Sequence, residues 1–159
     1  MNKTELIVEP GTQEIVMTRT FDAPRELVFK TTMDPDLIPR WWGPRYLTTT
    51  VDEMDVRPGG KWRYIQRDPE GNVHAFHGVY HDIAAPERVV CTFEYEGVPG
   101  HVLLQTMTLD EVGGGKTKLT MQSVFQSVAD RDGMVQAGME VGARDMVDRI
   151  EELLAAARV

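Results

Sequence analysis

The chain has 159 residues, 42% of them hydrophobic and 26% charged, with a formal charge of -8 and a pI near 5.0. A chain of this size buries about 68–70% of its unfolded surface in one core, and the composition excludes a disordered or low-complexity protein. The acidic balance argues against nucleic acid as a partner, because phosphate contacts need a concentrated basic surface, and no apolar run reaches the roughly 18 residues of a membrane helix.

"MNKTELIVEPG" lacks the uninterrupted apolar stretch of a secretory signal, and Cys91, the single cysteine, cannot form an internal disulfide. A cytoplasmic location is the expectation. One domain over residues 1–159 is predicted, with residues 1–12 either flexible or pairing at an edge. "EIVMTRTF" (Glu14 to Phe21) alternates as a strand. In "DAPRELVFKTTMD", Pro24 suits a first helical turn, and in "DPDLIPRWW" Asp34 can cap a second short helix that Pro39 keeps short.

The period then changes. "TTTVDEMDVRPGGKWRYIQRD" offers two strands around Pro58-Gly59-Gly60, with Trp62 and Tyr64 on one face and Lys61, Arg63 and Ile65 on the other. "VHAFHGVYHDI", "RVVCTFEYE", "HVLLQTMTL" and "KTKLTMQSVF" continue as antiparallel strands between turn segments. From about Asp130 to Ala157 the pattern is helical, with Met139, Ala143, Met146, Ile150, Leu153 and Ala157 as its apolar stripe. The expected fold is α+β: an antiparallel sheet covered by a long C-terminal helix, with two short helices after the first strand. Gly138 and Gly142, one turn apart, mark either close helix–sheet contact or a cavity beneath the helix.

"TRTFDAPRELVFKTTMDPDLIPRWWGP", "VDEMDVRPGGKWRY", "GVYHDIAAPERVVCTFEY" and "GMEVGARDMVDRIEELL" together resemble bacterial proteins similar to the C-terminal domain of the activator of the ninety-kilodalton heat-shock protein ATPase, within the START-like superfamily. The resemblance runs from Glu14 to Leu154. It implies a helix-grip fold, a curved sheet gripping the C-terminal helix around a largely apolar cavity. The family's tryptophan and Gly-Pro motif falls on Trp41 to Pro44, its "PGG" turn on Pro58 to Gly60, and a further scaffold glycine on Gly78.

Motifs that would name a reaction are weak. His77 and His81 share a strand face about 13 Å apart while His74 points away, too far to converge on a zinc ion; His101 lies on another strand. Cys91 alternates with Phe93 and Tyr95 as a structural or pocket-lining residue without an adjacent activating base. "GGGKT" (Gly113 to Thr117) lies between strands and lacks the first glycine of a phosphate loop, so it reads as a hairpin turn. Asp145 lies near the helix stripe and, if internal, needs Arg63, Arg144 or a tyrosine hydroxyl as a partner.

The remaining signal is aromatic. Trp62, Tyr64, Phe76, Tyr80, Phe93 and Tyr95 lie on strands, and of Trp41 and Trp42 one is expected to anchor the short helices and the other to border a cavity mouth. Met134, Gly138 and Gly142 complete the candidate lining from the helical segment. The expected function is binding of a small apolar or aromatic molecule, without catalytic residues, metal or other cofactor. A chaperone-associated module with a protein partner, and a cyclase-like or hydrolase-like enzyme, are the alternatives.

Overall fold

The structure is a computed structural model that describes residues 3–157; residues 1, 2, 158 and 159, at the ends of the expected domain, lie outside the described residues. Short β1 (Glu5–Ile7) and β2 (Glu14–Phe21) come first, then helices α1 (Arg25–Met33) and α2 (Ile38–Trp41). Six strands follow: β3 (Thr48–Met54), β4 (Lys61–Arg67), β5 (Val73–Ala84), β6 (Arg88–Tyr95), β7 (Val102–Glu111) and β8 (Thr117–Val124). Helices α3 (Val128–Gln136) and α4 (Met139–Ala157) complete the described chain.

All eight strands form one antiparallel sheet in the order β1-β2-β8-β7-β6-β5-β4-β3. Strands β3 to β8 make a meander, and β8 closes on β2 with Phe21 opposite Thr117 and Glu14 opposite Val124. The N-terminal segment contributes β1, which sets Leu6 opposite Met17 at the sheet edge. Because β2 and β3 stand far apart in the sheet, α1 and α2 carry the chain across its inner face. This is the helix-grip arrangement.

Alternation determines which side chains face inward. In β2, Ile15, Met17, Arg19 and Phe21 are buried and the residues between them are not; in β4 the same pattern buries Trp62, Tyr64 and Gln66. Arg19 is an exception to the apolar rule, only 5% exposed. A buried guanidinium needs partners, and Arg19 finds Asp148 at 2.9 Å and Glu151 at 2.8 Å on α4, and the Thr4 hydroxyl at 2.6 Å. One cation thereby ties β2, the N-terminal segment and α4.

The prolines shape the short helices, but neither helix has a side-chain cap: the N-caps are Pro24 and Leu37, and Asp34, expected to cap α2, lies in the turn before it. Pro24 supplies the carbonyl for the first α1 bonds, from the Leu27 and Val28 amides. The Asp34 carboxylate accepts from the Asp36 amide at 2.9 Å. With Pro39 in its first turn, α2 runs for four residues only.

The C-terminal helix differs from the continuous one expected from about Asp130. Ser127 caps α3, its hydroxyl accepting from the Asp130 amide at 3.0 Å. The chain then breaks at Gly138, whose φ of +87° closes the helix in the left-handed region. Gly138 is therefore a helix terminator, and the 3.6-residue pattern spans two helices. On α4 the buried residues are Ala143, Val147, Ile150 and Leu154, a stripe turned toward Val147 from the expected one. Met139, Met146 and Leu153 flank it, and Ala157 is exposed. Both alignments keep apolar residues three or four apart, so periodicity alone permits either.

Candidate functional site

Beneath α1 and α2, against the inner face of the sheet, lies a cavity of about 70 Å³. Its roof is Thr32 and Met33 from α1 with Ile38, Trp41 and Trp42 from α2 and its end. Its floor comes from five strands: Trp62 and Tyr64 on β4, Tyr80 on β5, Val89 and Cys91 on β6, Gln105 and Met107 on β7, and Met121 on β8. Among the described residues no charged side chain lines it. A larger depression of about 510 Å³ lies at the surface between Asp22–Pro24 and Gly114–Lys116. It is open, and the Lys116 ammonium there pairs with Asp22 at 3.4 Å; the smaller, roofed space is the candidate site.

The two tryptophans divide differently from the expectation of one anchor and one mouth residue, since both line the cavity. Trp41 is 9% exposed and belongs to the main core. Trp42 is half-buried and meets Tyr64, Phe76, Trp62 and Phe93 with ring centroids 5.0 to 6.4 Å apart. Three of these four contacts are edge-on, the arrangement that ring quadrupoles favour. Phe76 and Tyr95 stack beside this group at 5.1 Å. Phe76, Phe93 and Tyr95 thus back the cavity as a second aromatic layer without lining it.

Trp62 is held by a bond across the sheet. Its Nε1–H donates to the Thr92 carbonyl at 3.2 Å, passing directly over Gly78, its partner on β5. A Cβ at Gly78 would collide with that carbonyl oxygen and come within 2.6 Å of Trp62 Nε1. Only glycine leaves room for this close crossing.

The remaining candidate residues lie elsewhere. Met134 packs on the separate cluster of Ile15, Leu103 and Phe125. Gly138 is exposed, with nothing near where a Cβ would stand, and Gly142 meets Pro44 at 3.5 Å from such a Cβ. Neither glycine lines the cavity or touches the sheet at close range, so the space lies under the short helices and not under α4. What α4 does is hold the roof. Arg149 donates to the Gly43 carbonyl at 3.2 Å and the Pro39 carbonyl at 3.3 Å. The Arg45 amide donates to Asp145 at 3.0 Å, and the Arg45 guanidinium pairs with Glu152. Asp145 therefore finds a backbone partner in the segment after "RWWGP", none of the three groups expected if it were internal.

The cavity's chemistry is that of neutral groups. Burial pushes the Cys91 thiol up to about 12 and the Tyr64 and Tyr80 hydroxyls well above their ordinary range. Tyr64 donates to Met54 Sδ at 3.6 Å, and Thr32 to the Val28 carbonyl at 3.0 Å. Trp41 Nε1 is buried without an acceptor among the described residues. The histidines do not converge: His74 Nδ1 meets the Tyr95 hydroxyl at 2.8 Å, and His101 meets Asp130 at 2.9 Å. His77 lies between Glu94 at 3.3 Å and Glu96 at 2.8 Å through opposite ring nitrogens. Among the described residues no group of histidine, cysteine, aspartate and glutamate is placed to hold a metal ion, and no helix is long and apolar enough to cross a membrane.

Solved structures share this fold. A solution structure from Arthrobacter aurescens superposes with a TM-score of 0.88 at 25% identity, covering 96% of this chain and 91% of that one. A crystal structure from Rhodobacter sphaeroides gives 0.88 at 23%, covering 97% and 99%, and one from Mycobacterium smegmatis gives 0.85 at 23%, covering 94% and 95%. No curated protein matches the chain in sequence. The sequence model described as Activator of Hsp90 ATPase homolog 1-like protein matches residues 22–155, from the turn after β2 to the last turns of α4, and the chain belongs to that family.

Proposed function

We propose that this protein binds a small neutral apolar or aromatic molecule in the cavity under α1 and α2, as a cytoplasmic binding protein without catalysis of its own. The observation that carries the reading is the uncharged lining beneath a roof of two tryptophans. An ion there would lose its hydration without a counter-charge. Trp41, Trp42, Trp62, Tyr64 and Tyr80 are the proposed contacts, backed by Phe76, Phe93 and Tyr95.

Size sets a condition. A cavity of about 150 Å³ holds benzene, and the cavity here is about half that. Met33, Met107 and Met121 line it, and their unbranched thioethers repack at small cost. The proposed ligand is a single ring or a short branched chain, admitted by their movement. The chaperone-associated reading draws on the family's description and on no particular surface of this chain. An enzymatic reading has little to work with, since Cys91 is held as thiol and no histidine or carboxylate among the described residues lines the cavity.

Saturation-transfer NMR with toluene, ethylbenzene and indole tests this. Transfer to at least one ring is expected in the wild type and its loss in Cys91→Phe, which fills the floor, at unchanged far-ultraviolet circular dichroism. No transfer in the wild type, or transfer indifferent to the filling, overturns the reading.

A further inference from the structure

We infer that the ligand carries a hydrogen-bond acceptor, such as a carbonyl oxygen, and that Trp41 Nε1–H is its donor. This rests on the cavity reading above. Three other donors in the lining are committed, Trp62 Nε1 to Thr92, the Tyr64 hydroxyl to Met54 and the Thr32 hydroxyl to Val28, and the Tyr80 hydroxyl lies beside that of Tyr64. The Trp41 indole is 9% exposed, lines the cavity, and has no acceptor for its buried N–H among the described residues. An unmet buried donor carries a desolvation penalty that an acceptor in the cavity would remove.

Gln105 adds a second handle. It stands opposite Cys91 on one side and Ser123 on the other, lines the same cavity, and its amide makes no protein hydrogen bond among the described residues. Trp41 enters from the roof and Gln105 from the floor. A compact ring bearing one carbonyl suits this pair better than a hydrocarbon does, and a carboxylate suits it worse, because no cation lines the space.

The test compares acetophenone with ethylbenzene, two probes of similar size that differ by the carbonyl. Taking the ratio of their affinities in each protein cancels their different hydrophobicities. From wild type to Trp41→Phe the acetophenone-to-ethylbenzene ratio is expected to fall about fivefold, the usual size of one net hydrogen bond. An unchanged ratio overturns the inference while leaving the cavity reading intact. Failure of both probes to bind wild type overturns both. Should Trp41→Phe not fold, the wild-type indole ¹⁵N–¹H spectrum decides. Acetophenone moves one otherwise solvent-protected Nε1–H downfield and ethylbenzene does not, whereas equal shifts with the two probes count against the donor.

Discussion

Gly138 and Gly142 are alike in sequence and opposite in structure, so alanine at each should change stability with opposite sign. Gly142 is the fourth residue of α4, and a Cβ there meets Pro44 Cδ at 3.5 Å, an ordinary contact. Alanine gains about 0.8–1.0 kcal/mol of helix propensity in a helix interior, somewhat less this near the first turn. Gly138 has open space but a φ of +87°. A side chain in that region costs about 1–2 kcal/mol, offset by about 0.4–1 kcal/mol from the stiffer unfolded chain. At about 2–4 °C per kcal/mol for a protein of this size, Gly142→Ala melts higher and Gly138→Ala lower, roughly 5 °C apart. Calorimetry or thermal circular dichroism reads this directly. Two losses would mean that Gly142 keeps needed room, and a gain at Gly138 would refute the left-handed helix end.

Three further outcomes are expected. Gly78→Ala should cost about 3 kcal/mol in urea unfolding, because the methyl must push β5 from β6 and break the Trp62–Thr92 bond; a cost within about 0.5 kcal/mol would remove the close crossing. Cys91, raised from 9.0 to about 12 by burial, should react with a thiol reagent at pH 8 about a thousandfold more slowly folded than in urea, and comparable rates would contradict its burial. Glu96 is lowered from 4.5 to about 2 by hydrogen bonds from Arg63 and then His77, with Asp52 and Glu94 also facing this cluster. Its folded pKa is depressed, so its contribution is present above about pH 4.5 and lost as pH falls toward 2. The urea midpoint of wild type should exceed that of Glu96→Gln at pH 7, with the gap closing across that window; a gap constant with pH would remove the linkage.

What could be read in advance was what repeats along the chain. Glu14 to Phe21 alternates over eight residues and forms β2 with those bounds. Trp62 and Tyr64 face inward because their neighbours Lys61, Arg63 and Ile65 cannot all be buried on a single sheet face. Pro24 and Pro39 placed the short helices because each fixes the backbone where it stands, whereas Asp34, expected to cap α2, lies four residues before it and bonds the Asp36 amide in a turn. The edge strand Glu5–Ile7 is three residues long, too short to display a period, so of the two expectations for residues 1–12 it was the pairing with β2, Leu6 opposite Met17, that decided for an edge strand. The helix break escaped for a related reason. A glycine in a periodic run has the same letter whether φ is negative or positive, and Ala143, Val147, Ile150 and Leu154 continue the count after the interruption.

The cavity's position depended on something that no local pattern encodes, namely which element covers which. Of the aromatic strand residues Trp62, Tyr64 and Tyr80 lie on the floor while Phe76, Phe93 and Tyr95 stand behind it, and the roof could be assigned to α4 or to α1 and α2 with equal local consistency. Long-range bonds decide it. Arg149 fastens Pro39 and Gly43, while Asp145 and Glu152 fasten Arg45, about one hundred residues away. These contacts turn α4 from a lining element into a brace for the Trp41–Trp42 segment. Gln105, by contrast, was legible in "HVLLQTMTL", where a period of two puts it on the buried face of β7 with Leu103, Met107 and Leu109; the weight given to aromatic residues left it out of the expected lining. Trp41 Nε1 is the harder case: that its N–H has no acceptor among the described residues depends on which elements pack around α2, and no local pattern carries that.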